Sequence, residues 1–125
     1  MKILLAGGSG GVGSATIPYL RKQHEIRVLD LNPPTHDVEY VEGSIADPQA
    51  LDEALEGVDS FITMVMQGGQ DGLERQHSVE QAVGNYQTNC LGLHLLLLKA
   101  FELGIKAGVH TSTMSAHNRN RRYYP

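Results

Sequence analysis

Cysteine occurs once in these 125 residues, at Cys90, so no disulfide can close within the chain. A reducing compartment fits that usage. Every apolar run falls short of the ~18 residues a membrane-spanning helix needs, so no membrane partner is expected. The chain opens directly on a strand-like segment, without the charged and apolar stretches of a secretory leader. A cytoplasmic location is the expectation. Basic charge is not in surplus either. The 10 Lys and Arg face 14 Asp and Glu, a net charge of −4, which gives no electrostatic reason to expect nucleic acid as a partner. The histidines, His24, His36, His77, His94, His110 and His117, form no i, i+4 pair and no cluster with Cys90 at metal-ligand spacing, so no metal is expected. His110, between Val109 and Thr111, reads as a strand histidine rather than a ligand. With 41% apolar residues, the chain has the length and composition of one globular domain with its own core.

What is present is concentrated in the first thirty residues. The apolar run Met1-Lys2-Ile3-Leu4-Leu5-Ala6 enters the glycine-rich turn Gly7-Gly8-Ser9-Gly10-Gly11-Val12-Gly13. A helix-compatible stretch follows, then Ile26-Arg27-Val28-Leu29, which ends on Asp30. Strand, glycine turn, helix, strand and carboxylate, in that order, are the layout of a dinucleotide-binding βαβ unit. Gly7 is read as permitting the tight turn, Gly10 as letting backbone N–H groups approach a pyrophosphate, and Gly13 as letting the helix pack closely. A positive φ is expected at Gly10. The helix start at Gly11 and Val12 presents unpaired N–H groups and a partial positive charge to phosphates. Asp30 falls where a carboxylate accepts from ribose hydroxyls and repels a 2′-phosphate. No Arg or Lys follows at residues 31–36, so the cofactor reading is NAD rather than NADP.

Strand and helix signals then alternate. Strands are expected at about 2–6, 26–30, 38–41, 60–65 and 107–111, and helices at about 11–22 and 48–56. Asp47 is the N-cap of the second helix, with Pro48 in its first turn. A long helix is expected from Ser78 to Leu103, stopped by Gly104. Asp52, Glu53 and Glu56 read as the wet face of the second helix. The alternation predicts an α/β fold: a Rossmann-type doubly wound parallel sheet of about five strands in the order 3-2-1-4-5. The cofactor is then expected across the carboxyl ends of the strands, between the first and the fourth.

The spacing Gly7-x-x-Gly10-x-x-Gly13 resembles the short-chain dehydrogenase/reductase superfamily, and within it the extended, NAD-dependent epimerase/dehydratase family that works on nucleotide sugars. Gly43-Ser44-Ile45-Ala46-Asp47-Pro48 is similar to the family's turn after the third strand. Asn89-Cys90-Leu91-Gly92-Leu93 is similar to its Asn-Val-x-Gly-Thr helix motif. Gly104 to Thr113 is similar to the fifth strand and its Ser/Thr-rich end. The resemblance is collinear over essentially the whole chain. It implies that residues 1–125 form an NAD-binding Rossmann domain truncated at its C-terminal end. The implied cofactor contacts add Ser44, Ile45, Val65, Met66 and Asn89 to the glycine turn and Asp30. Ser44 stands where the family usually has Asp, and Val65-Met66 replaces Ala-Ala beneath the cofactor. Thr113 takes the place of the hydroxyl that polarises the substrate, a small molecule of the sugar class.

The family's Tyr-x-x-x-Lys acid/base pair does not occur in these residues. The 125 residues alone are therefore expected to have no turnover. Two readings follow: the cofactor half of an epimerase, dehydratase or reductase, or a non-catalytic NAD-binding module. Arg119, Arg121 and Arg122 read as a solvated loop, or as contacts to a substrate phosphate in a complete enzyme. Leu91, Leu93, Leu95, Leu96, Leu97 and Leu98 cannot all face one sheet. The resemblance implies that this helix joins a homo-oligomer interface, with Leu93, Leu96 and Leu97 as its expected contributors. Cover by another segment of the chain, or plain exposure, is the alternative.

Overall fold

The structure, a computed structural model, describes residues 1–68 and 78–112. The elements run β1 (Lys2–Ala6), α1 (Gly11–Leu20), β2 (Glu25–Asp30), β3 (Glu39–Glu42), α2 (Pro48–Leu55) and β4 (Ser60–Thr63). α3 (Val79–Tyr86), a π-helical segment (Gln87–Gly92), α4 (Leu93–Glu102) and β5 (Gly108–His110) follow. The five strands form one parallel sheet in the order β3-β2-β1-β4-β5, as the alternation predicts.

Side chains of a strand alternate between the two faces of its sheet, and here both faces are apolar. Leu4, Ala6, Leu29, Val41 and Phe61 point to one side. There Leu51 and Leu55 of α2, and Leu96 and Ala100 of α4, close over them. Ile3, Leu5, Ile26 and Val28 point to the other, against Ile17 of α1. The central strand β1 is buried on both faces, so its run of apolar residues is continuous rather than alternating.

The local stop and start signals act as read. Asp47 caps α2, its carboxylate accepting from the Gln49 N–H at 2.9 Å. Ser78 caps α3 in a reciprocal pair with Gln81. Gly104, at φ +74°, ends α4 in a conformation few other residues adopt. Two boundaries differ by two residues, and those of β2, β3, α2 and β5 by one. α1 stops at Leu20, short of the expected residue 22, and β4 stops at Thr63, short of 65. The long helix is not one α-helix. Its middle widens into the π-helical segment, which turns α4 to a different azimuth from the one an unbroken α-helix would give.

That rotation decides which leucines are buried. Leu96 is fully buried against the chain's own sheet, so its expected place in an oligomer interface is overturned. Leu93 is half-buried. Leu97, Leu98 and Phe101 remain exposed, Phe101 at 81%. Asp52, on the exposed side of α2, pairs with Lys99 of α4.

One buried charge was not legible in the sequence. Arg27, in the middle of β2, is 7% exposed. Its Nη1 donates to the carbonyls of Glu53, Ala54 and Glu56, at 3.0, 2.9 and 2.8 Å, where α2 ends. Its Nη2 donates to Glu39 Oε1 at 2.5 Å, and Lys2 Nζ meets the other oxygen at 2.6 Å. The guanidinium thus satisfies carbonyls that a helix end leaves unpaired, and places a cation at the negative pole of α2. The Arg27 and Lys2 hydrogen bonds hold the Glu39 carboxyl below its ordinary value of 4.5. A carboxylate whose pKa is depressed by folding contributes stability above its unfolded value and loses it as pH falls through the folded one. Arg27→Ala is expected to lower the unfolding free energy by about 1–3 kcal/mol, the cost of unpaired buried groups. Urea titrations below pH 4.5 should show the acid loss of stability in the parent and a shallower loss in Glu39→Gln.

Candidate functional site

The turn that leaves β1 is built by close approach. Gly7 sits at φ +84°, and a Cβ there would lie 2.9 Å from the Val65 nitrogen. A Cβ on Gly13 would lie 2.5 Å from the Gly7 carbonyl oxygen and 2.6 Å from the Gly8 Cα. The first turn of α1 therefore rests directly on the backbone of the turn. Gly10 differs from its expectation: its φ is −69°, an extended conformation open to any residue. What glycine provides there is space, since a Cβ would meet only the Gly7 oxygen, at 3.4 Å. Gly10 is the N-cap of α1, has no side chain to cap the first-turn amides, and no acidic residue follows in that turn. The positive end of the helix is left for an anion.

At the end of β2 the Asp30 carboxylate faces the same turn. Its Oδ2 accepts from the Ser9 N–H at 3.0 Å and its Oδ1 from the Asn32 N–H at 3.2 Å. The Ser9 hydroxyl donates to the Asn32 carbonyl at 2.6 Å, closing the loop onto the glycine turn. Tyr40 donates its hydroxyl to the Asp30 carbonyl at 3.3 Å. Desolvation, with the charges of Glu42 and Asp30, pushes that phenol upward, so it stays a donor. Each carboxylate oxygen of Asp30 keeps a lone-pair direction for a further donor.

These elements border a cleft of about 510 Å³ across the carboxyl ends of β1, β2, β3 and β4. Gly7, Gly10, Asp30, Ser44, Ile45, Val65 and Met66 line it, seven positions singled out from the sequence. Gly11 and Val12 stand at the adjoining helix start, with Val12 exposed, while Gly13 is buried beneath the turn. Ser44 Oγ accepts from the Ala46 N–H at 3.1 Å. Thr113 lies outside the described residues.

Asn89 does not line the cleft; it holds a wall that does. From the π-helical segment its Oδ1 accepts from the Gln67 N–H at 2.8 Å, and its Nδ2 donates to the Gln67 carbonyl at 2.6 Å. The Thr88 hydroxyl donates to Gln67 Oε1 at 2.5 Å. The side-chain amide of Asn89 thus pairs with the backbone leaving β4 much as a neighbouring strand would. Ser9, Leu31, Asn32, Met64, Gln67 and Thr88 also border the cleft and were not singled out in advance. Ser9 and Asn32 sit beside the glycines and Asp30, so their neighbourhood was a usable signal. Gln67 and Thr88 meet only through the fold.

Among the described residues no group of three or more His, Cys, Asp or Glu could hold a metal ion, and no helix is long and apolar enough to cross a membrane. The polar inventory of the cleft is one carboxylate, one uncapped helix start and several hydroxyls and amides. That set recognises an anion flanked by a polyol.

Known proteins share this fold and part of this sequence. The chain is 34% identical over 123 residues to a UDP-glucose 4-epimerase of Halalkalibacterium halodurans, matching 94% of this chain and 36% of that protein. A short-chain dehydrogenase/reductase superfamily protein of Agrobacterium tumefaciens, solved with bound NAD, superposes with a TM-score of 0.82 at 28% identity. It covers 100% of this chain and 37% of that one. A Thermus thermophilus UDP-glucose 4-epimerase in complex with NAD gives a TM-score of 0.74 at 24% identity, over 90% of this chain and 38% of that one, a likeness of fold. The chain thus spans little more than a third of the length of these relatives. The family model for NAD dependent epimerases and dehydratases matches residues 3–122, and the chain belongs to that family.

Proposed function

We propose that this chain is the NAD-binding part of an epimerase/dehydratase-type oxidoreductase that, when complete, acts on a nucleotide sugar. The observation that carries the reading is the meeting of the Asp30 carboxylate and the uncapped start of α1 on one cleft at the strand ends. An NAD molecule offers the matching chemistry: a pyrophosphate for the amides around Gly10, Gly11 and Val12, and ribose hydroxyls for Asp30. The space that a Cβ on Gly10 would fill is left open for the pyrophosphate to approach. Ser44 and Ile45 border the adenine side, where the Ser44 hydroxyl can donate. Val65 and Met66 border the nicotinamide side, and Asn89 fixes the wall beyond them. The bound nicotinamide supplies a reversible hydride acceptor. Thr113 is assigned by family resemblance the polarising of a substrate hydroxyl or carbonyl. A cytoplasmic location belongs to this reading. The alternative, a non-catalytic NAD-binding module, rests on the lack of Tyr-x-x-x-Lys among these 125 residues. Coding sequence beyond Pro125 separates the two: such a pair downstream supports the enzyme, and a stop codon supports the module.

The exposed Leu97, Leu98 and Phe101 on α4, with Val83 and Tyr86 on α3, form the face we assign to contact with a second copy. Light scattering across concentration is expected to show species above the monomer mass. Leu97→Glu with Phe101→Glu should shift them toward monomer; a dilution-independent monomer in the parent would count against the assignment.

Calorimetric titration tests the cofactor reading. Asp30→Ala is expected to weaken NAD binding by about 1–3 kcal/mol, the cost of losing hydrogen bonds to a charged group, and to narrow the preference over NADP. Equal affinity of the parent for NADP and NAD would defeat it.

The glycines provide an internal control. Gly10→Val should abolish NAD binding while leaving the unfolding midpoint nearly unchanged, because its Cβ meets only the Gly7 oxygen, at ordinary contact distance. Gly13→Ala should instead destabilise the fold by about 1–3 kcal/mol, the usual cost of overpacking. Unchanged NAD affinity in Gly10→Val would place the cofactor elsewhere.

A further inference from the structure

α1 carries a proline in its interior, Pro18. In an α-helix the N–H of residue 18 would donate to the carbonyl of Ser14, and proline has no N–H to give. The Ser14 carbonyl is nevertheless paired. His36, from the connection between β2 and β3, places its Nε2 at 2.9 Å from that oxygen. Because the partner is a carbonyl, the ring nitrogen is the donor. A gap in one helix's hydrogen bonding thus becomes an anchor for a distant loop.

The anchored loop is the one that follows Asp30. At its near end Asn32 is tied twice, through its N–H to Asp30 and through its carbonyl to the Ser9 hydroxyl. Pro33 and Pro34 come next and restrict the chain. His36 then fastens the far end to Ser14, whose own hydroxyl donates to the Ser9 carbonyl at 3.3 Å. Loop, glycine turn and first turn of α1 are therefore stitched at both ends of the loop, with the Asp30 carboxylate held between them.

We propose that His36 is a positioning residue for dinucleotide recognition: by occupying the carbonyl that Pro18 leaves open, it fixes the loop that aims Asp30. This rests on the reading of the cleft as an NAD site. His36 touches no cofactor in this role. With its Nε2 engaged at Ser14, that nitrogen is not offered to a ribose or to a 2′-phosphate. The anchor depends on an N–H donor at this position, not on the positive charge of a protonated imidazole.

Two substitutions separate donor from bulk. His36→Phe keeps a ring and removes the donor, and His36→Gln restores an N–H donor without the ring. Calorimetry is expected to show NAD affinity falling about three- to tenfold in His36→Phe and returning to within about twofold of the parent in His36→Gln, the scale of one hydrogen bond. Amide hydrogen exchange at Ser9 and Asn32 should quicken in His36→Phe and recover in His36→Gln. In a Pro18→Ala background the helix supplies its own N–H to Ser14, and the loss of stability on His36→Phe should shrink; additive effects would overturn the link to Pro18. Unchanged NAD affinity and exchange in His36→Phe would overturn the inference while leaving the NAD reading intact. Failure of the parent to bind NAD would overturn both. A change confined to NADP would make His36 a phosphate contact and overturn its positioning role.

Discussion

The first turn of α1 lies against the turn leaving β1 with no room for a carbon atom between them. A Cβ on Gly13 would come within 2.7 Å of three backbone atoms of Gly7 and Gly8. This contact fixes where the helix begins relative to the strand, and so where its unpaired amides point. The same turn carries Ser9 to the end of β2, where its N–H donates to Asp30. The position of the helix start on the cleft follows from this backbone-to-backbone approach.

The opposite end of the sheet is held by different physics. There Arg27 gathers the last carbonyls of α2 and the Glu39 carboxylate, with Lys2 on the far oxygen. A buried guanidinium is costly unless its donors are met; the end of α2 and Glu39 pair both terminal nitrogens, while the buried Nε has no partner. Backbone amides dominate the cleft end of the sheet, and paired charges join the strands to α2 at the other. Stability and binding can therefore respond to separate substitutions, although β2 carries both Arg27 and Asp30.

Much of the site was legible because its parts are contiguous or lie at strand ends. Gly7, Gly10, Gly13 and Asp30 belong to one βαβ unit, and the spacing of such a unit is imposed by local geometry. Gly10 lines the cleft but with a torsion other than the one expected: spacing reveals that a side chain is missing, but not whether φ or free space requires its absence. The leucine-rich helix shows the limit more sharply. Its apolar pattern marks a buried helix, but nothing in Gln87-Thr88-Asn89-Cys90-Leu91-Gly92 announces a π-helical segment. Without that rotation, Leu96 and Leu97 cannot be assigned to inside and outside.

By itself the sequence determined the alternation of elements, the parallel order of the strands, the cap at Asp47, the helix start at Ser78, and the carboxylate at the end of β2. Each depends on neighbours within a turn, or on a hydrophobic period that survives without knowledge of the rest. Tertiary structure decided the wall made by Asn89 and Gln67, the cap that Arg27 places on α2, and the anchoring of His36 to Ser14. In these pairs, residues more than 20 positions apart satisfy one another's hydrogen-bonding groups. Which partner fills a vacant carbonyl is a matter of distance in space, and sequence spacing carries no record of it.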